Sequence, residues 1–238
     1  MAILDRRRSG YGTALGSAYG LFLKLFNGAP ALAAAFALAV ACVWATPSAA
    51  AQTPRLLLLG DSLVAGYGLP REDGFVAALG RALAEADVSA EMLDGGVSGD
   101  TTAGGRARIA WSLGDKPTHA IVALGANDAL RGLPPEAAAE NLAAILAAFK
   151  EAGVPALLVG MRAPRNWGEE YADAFDGIYP KLAEDAGVPL YPFFLEGVAL
   201  DPALNQADGI HPNADGVAVI VENLLPAVIS LLEQESPS

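Results

Sequence analysis

The chain has 238 residues, 53% of them hydrophobic and 18% charged, and its 15 basic and 27 acidic residues give a formal net charge of −12. That length and composition specify a globular chain with a sizeable core, and the even composition after residue 54 favours one domain. The acidity argues against a nucleic-acid partner, since proteins that neutralise phosphate backbones carry a basic face.

The first 51 residues read as a leader. Arg6-Arg7-Arg8 and Lys24 precede an Ala-rich apolar segment over residues 29–45, and Pro47-Ser48-Ala49-Ala50-Ala51 supplies a small-residue exit. A basic flank, an apolar stretch and an Ala-x-Ala end are the features of a secretory signal peptide. Cleavage before Gln52 leaves a domain of 187 residues, 52–238, with net charge −15. Two other readings of the leader are an uncleaved anchor, for which the segment is short and weakly apolar, and lipidation of Cys42. Cys42 is the single cysteine, so the domain would contain neither a disulfide nor a thiolate metal site.

From residue 55 onward, short apolar runs alternate with amphipathic stretches, the pattern of βαβ units and a parallel sheet. The expected strands are Arg55–Leu59, Ala90–Leu93, Ala120–Leu124, Ala156–Gly160 and Leu190–Phe194. The expected helices are Phe75–Glu85, Gly105–Leu113, Glu136–Glu151, Glu169–Ala186 and Ala214–Leu232. Gly153-Val154-Pro155 and Gly187-Val188-Pro189 each mark a helix stop followed by a strand. Five strands with helices on both faces predict a three-layer α/β/α sandwich, flavodoxin-like, in strand order 2-1-3-4-5.

In such a sheet the strands' carboxyl ends share one edge, and four of the five are followed there by polar clusters. Gly60-Asp61-Ser62 follows the first strand, Gly60 being read as a turn residue with backbone freedom. Gly95-Gly96-Val97-Ser98-Gly99-Asp100 follows the second, Gly125-Ala126-Asn127-Asp128 the third, and Asp208-Gly209-Ile210-His211-Pro212 the fifth through a loop. Taken singly, each is an ordinary turn or helix cap. Taken together, they supply what a serine nucleophile needs: a base, a group to orient it and donors for an oxyanion.

Of the two histidines, His119 begins a strand on the opposite edge and reads as structural, which leaves His211 as the base. Asp208, three residues earlier, can hold the imidazole. Asp61 should point away from Ser62, and Asn213 and Asp215 are explained as the cap and first turn of the last helix. The amides of Ser62 and Gly99 and the side chain of Asn127 are the candidate oxyanion donors. Leu130, Pro164 and Trp167 are candidates to line an acyl site, although core packing uses the same residue types. The α/β-hydrolase elbow, the phosphate loop and a calcium loop all fail on spacing: Val64 stands where the elbow has glycine, and Ile210 where a calcium loop needs an oxygen.

These blocks, in this order, resemble the SGNH hydrolases, the GDSL esterase and lipase superfamily. The resemblance rests on Gly60-Asp61-Ser62-Leu63, Gly99, Asn127 and Asp208-x-x-His211, and spans nearly the whole domain. Ser98-Gly99-Asp100-Thr101-Thr102, Leu130-Arg131-Gly132 and Asp208-Gly209-Ile210-His211-Pro212-Asn213 are similar to the bacterial periplasmic branch of arylesterases, acyl thioesterases and lysophospholipases. Ala129 departs from it, glycine being common after the Asn-Asp pair. The resemblance implies an exported serine esterase acting on small-molecule or lipid acyl esters with no metal or cofactor. A carbohydrate O-deacetylase, or a catalytically silent acyl- or glycan-binding protein, would fit the same fold.

Overall fold

Leu56, Leu57, Leu58 and Leu59 are at most 2% exposed, because the strand that carries them is covered on both faces. In the computed structural model, which describes residues 52–234, this is β1 (Arg55–Gly60). The leader reading, with Cys42 and the cleavage site, falls outside the described residues. Beside β1 lie β2 (Glu91–Gly96) and β3 (His119–Ala123), followed by β4 (Ala156–Val159) and β5 (Leu190–Tyr191). All pairs are parallel and the order is β2-β1-β3-β4-β5, as expected from the sequence.

The helices form two layers. On one side α2 (Phe75–Glu85) packs on α8 (Ala214–Leu232), and on the other α3 (Thr102–Gly114), α5 (Pro135–Glu151) and α7 (Ile178–Ala186) lie side by side. α8 is long and apolar enough to cross a membrane, yet Val217, Ile220, Val221, Leu224, Val228 and Leu231 form a buried stripe at helical spacing. α1 (Ser62–Ala65) and α4 (Ala126–Leu130) are single turns directly after β1 and β3, and α6 (Glu169–Asp176) precedes α7.

Several boundaries differ from expectation, four of them for reasons visible in the packing. The helix expected over 169–186 is two helices, because Pro180 has no N–H to bond the carbonyl of Asp176 and its ring crowds that carbonyl. β5 stops at Tyr191 because Pro192 cannot donate to the ladder. β2 runs through Gly95 and Gly96, expected as loop. A Cβ on Gly95 would sit 2.8 Å from the Leu58 carbonyl, and one on Gly96 would collide with the backbone of Ala65, so these glycines mark close packing. α3 begins at Thr102 rather than Gly105, since Thr101 Oγ1 accepts from Gly104 N and the Asp128 carboxylate takes Thr102 N.

Gly60 also differs from expectation. Its backbone is not in the left-handed region; a Cβ there would run into the Val64 side chain and approach the Ala123 carbonyl to 3.0 Å. Space, not conformational freedom, demands glycine at the end of β1.

Candidate active site

The turn after β1 is short because Asp61 caps α1 with its own side chain, Oδ1 accepting from Leu63 N at 3.0 Å. That cap turns Asp61 inward, where it is fully buried, and leaves Ser62 on the sheet edge. The Ser62 hydroxyl meets His211 Nε2 at 2.9 Å across a sequence separation of 149 residues. His211 Nδ1 in turn lies 2.7 Å from Asp208 Oδ2. The other Asp208 oxygen accepts from the N–H groups of Ile210 at 2.9 Å and His211 at 3.0 Å. These backbone donors, then the imidazole, hold the Asp208 carboxyl down at about 2, so it is ionised throughout the neutral range. A carboxylate on Nδ1 fixes the tautomer with Nδ1 protonated and leaves Nε2 free to accept from the hydroxyl.

The loop carrying His211 is tied down on several sides. Gln206 N donates to the His211 carbonyl at 2.8 Å, and Gln206 Nε2 donates to the carbonyls of Tyr67 at 2.8 Å and Pro212 at 2.9 Å. The Tyr67 ring packs on the imidazole with centroids 4.6 Å apart. Asn213 caps α8, as expected, by accepting from Gly216 N. Tyr67 and Gln206 escaped the sequence reading because their partners are backbone carbonyls and a ring face, for which no spacing rule exists.

Gly99 and Asn127 are brought beside the same turn. Asn127 Nδ2 donates to the Asp100 carbonyl at 2.9 Å and weakly, at 3.4 Å, to Asp61 Oδ2. Gly99 has φ +82°, a conformation that side chains disfavour. Among the described residues, the N–H groups of Ser62 and Gly99 donate to no protein acceptor, which leaves both available to a ligand. Asp128, the second residue of the Asn-Asp pair, is buried and accepts from Thr102 N at 2.8 Å and Thr102 Oγ1 at 2.6 Å, locking the Asn127 turn to the start of α3. Beneath that turn, the buried Tyr179 hydroxyl donates to the Leu124 carbonyl at 3.0 Å.

Of the expected acyl-lining residues, Leu130 is 43% and Trp167 47% exposed. The Trp167 ring stacks at the Gly132 position, within 3.0–3.1 Å of where a Cβ would be, so it stands beside the loop that carries Leu130. Pro164 opens the 3₁₀ turn Arg165–Trp167 that presents the indole. His119 is on the opposite edge, buried, with Nε2 against the Gln234 carbonyl at 2.9 Å, which fits its structural reading.

Burial raises the Asp61 carboxyl to about 6, against the opposing pull of Leu63 N, Asn127 and His211. Between the ordinary value of 3.8 and about 6, the folded chain therefore keeps a proton that the unfolded chain has released. Stability contributed by this group falls as pH rises through that window, by up to about 3 kcal/mol at 1.36 kcal/mol per unit. Asp61→Asn cannot ionise. The gap in unfolding free energy between variant and wild type should thus shift in the variant's favour from pH 4 to pH 7. Denaturant titrations at both values check this, and a pH-independent gap refutes it.

Residues 58–219 match the model of the GDSL-like Lipase/Acylhydrolase family. The chain is 42% identical over 177 residues to an arylesterase of Vibrio mimicus, covering 74% of this chain and 88% of that protein. It is 40% identical over 188 residues to "Thioesterase 1/protease 1/lysophospholipase L1" of Escherichia coli, covering 79% and 89%. Among solved structures, that of AlinE4, an SGNH-hydrolase family esterase, superposes with a TM-score of 0.64 at 47% identity, covering 77% of this chain and 98% of that one.

Proposed function

We propose, from the premise that this chain belongs to the GDSL-like lipase/acylhydrolase family and is an ester-hydrolysing enzyme, that Ser62 is its nucleophile, His211 its base and then acid, and Asp208 the group that holds His211. The observation that carries this reading is the unbroken relay from the Ser62 hydroxyl through His211 to the Asp208 carboxylate at 2.9 and 2.7 Å.

His211 Nε2 takes the hydroxyl proton as Ser62 Oγ bonds to the acyl carbon. The carbonyl oxygen becomes an oxyanion, received by the N–H groups of Ser62 and Gly99 and by Asn127 Nδ2. Collapse breaks the bond to the leaving alkoxide or thiolate, and the imidazolium returns the proton to it. Water, deprotonated by His211, then attacks the acyl-enzyme; collapse of this second intermediate breaks the bond from the acyl carbon to Ser62 Oγ, the imidazolium returns the proton to that oxygen, and the acid leaves. Asp208 stays ionised and stabilises the transient imidazolium. No step uses a metal or cofactor.

The substrates are acyl oxyesters and thioesters, among them aryl esters and lysophospholipids, in keeping with the activities for which the relatives are named. Leu130, Pro164 and Trp167 flank the acyl chain. Residues 1–51 are a cleaved leader, and 52–238 act as the catalytic domain in the periplasm or outside the cell.

The test is active-site labelling of the mature domain with an alkyl phosphonate ester. A single adduct on the peptide containing Ser62, absent in Ser62→Ala together with nitrophenyl ester and acyl thioester hydrolysis, supports the reading. Equal rates for wild type and Ser62→Ala overturn it. Preference for acetylated sugars over longer acyl chains would redirect the substrate class to deacetylation.

A further inference from the structure

Arg131 follows α4 as the cap residue and is exposed, yet its guanidinium points back at the site. Nη2 donates to the Gly99 carbonyl at 2.9 Å and to Asn127 Oδ1 at 3.4 Å. Those are the two oxyanion donors that do not belong to the nucleophile itself, and they come from different strand ends. Their contacts close a ring. Arg131 grips Gly99, the next residue's carbonyl, that of Asp100, accepts from Asn127 Nδ2, and the other end of the Asn127 amide returns to Arg131.

The ring settles the orientation of the Asn127 amide. Its nitrogen faces two oxygens, the Asp100 carbonyl and the Asp61 carboxylate, while its oxygen faces a cation. The flipped amide would set oxygen against oxygen on one side and nitrogen against guanidinium on the other. Gly99 and Asp100 are likewise held from two sides. Arg131 holds the Gly99 carbonyl, and Arg108 Nε holds the Asp100 carboxylate at 2.8 Å while Arg108 Nη2 donates to the Gly60 carbonyl at 3.0 Å. Arg131 differs from Arg108 in its charge balance. Among the described residues, Arg55, Arg108, Arg162 and Arg165 each pair with a carboxylate, whereas Arg131, like Arg71, Arg81 and Arg106, makes no ion pair, and of these four it is the one whose guanidinium reaches Gly99 and Asn127. In so acidic a domain, an unneutralised cation placed on two neutral oxygens keeps its field at the spot where negative charge develops.

We infer that Arg131 is a positioning residue for the oxyanion hole, holding Gly99 and Asn127 as one pre-set unit and adding positive potential behind them. The inference rests on the mechanism proposed above. It predicts a loss that falls on kcat, because the donors matter when the oxyanion forms and not when the ester binds.

The experiment compares Arg131→Ala and Arg131→Lys in the wild-type and Asn127→Ala backgrounds, with a neutral nitrophenyl ester. Arg131→Ala should lower kcat about 10-fold, a fraction of the 10²- to 10³-fold lost with a direct donor, and leave KM within about twofold. Arg131→Lys, which keeps a charged donor on a shorter stem, should fall between wild type and Arg131→Ala. Added guanidinium ion should restore part of the Arg131→Ala rate where sodium chloride at equal ionic strength does not. In the Asn127→Ala background the Arg131 change should cost less than it does in wild type, since the part that acts through the Asn127 amide is gone while the hold on Gly99 remains. A kcat for Arg131→Ala within about twofold of wild type overturns the inference, and so does an undiminished cost in the Asn127→Ala background. Failure of Ser62→Ala to abolish hydrolysis would instead strike at the mechanism itself, so the two failures are distinguishable.

Discussion

His211→Ala should lower kcat/KM for a nitrophenyl ester by about 10⁴- to 10⁶-fold, the loss typical when the base of a serine relay is removed. The Ser62 hydroxyl then has no acceptor for its proton, and no group remains to protonate the leaving oxygen or to activate water for deacylation. The fold should survive. Gln206 binds the loop through the backbone of residues 211 and 212 and through Tyr67, not through the imidazole. Steady-state rates with matched thermal unfolding curves check this, and residual activity within about 100-fold of wild type would remove His211 from its role. Asp208→Asn should cost about 10⁴-fold, because the backbone donors of Ile210 and His211 keep the amide oxygen and turn the amide N–H onto Nδ1, which favours the tautomer that cannot accept the Ser62 proton.

The second large effect is on Asn127. Asn127→Ala should lower kcat about 10²- to 10³-fold, or about 2.7–4 kcal/mol of transition-state stabilisation, with KM little changed. In the free enzyme one amide hydrogen is spent on the Asp100 carbonyl, while the other reaches the Asp61 carboxylate only at 3.4 Å. That long second bond costs little to give up when an oxyanion forms. Asn127→Asp should be worse than alanine, since it sets a second carboxylate against the buried Asp61 and turns the donor into an acceptor. A loss below about tenfold for Asn127→Ala would show that the Ser62 and Gly99 amides suffice.

Much of this was readable in the residues. The strand order followed from alternating apolar runs and amphipathic helices, since buried parallel strands leave uninterrupted signals such as Leu56–Leu59. The approach of Ser62, Asp208 and His211 followed from the rule that strand ends share an edge. What escaped the sequence depended on neighbours distant in the chain. Gly60, Gly95 and Gly96 look like turn residues, but their reason is contact with Val64, Leu58 and Ala65. The break at Gly177 was signalled by Pro180, a local cue outweighed by strong helical spacing on either side. Arg131 stood out only as part of a family likeness, because nothing in Leu130-Arg131-Gly132 says that its guanidinium reaches Gly99, 32 positions earlier. Asp61 reads in the sequence as pointing away from Ser62, and its complete burial and raised carboxyl depend on packing that spacing does not reveal.

The contact between Ser62 and His211 joins the end of the first strand to the last loop before α8. A ribosome therefore makes the hydroxyl 149 residues before the imidazole. Every nascent chain that stops short of His211, however well its first strands have paired, lacks the proposed base. With Ser62 and His211 in their proposed roles, ester hydrolysis cannot appear on a growing chain before the loop that carries His211 has been made and has folded back onto the end of β1.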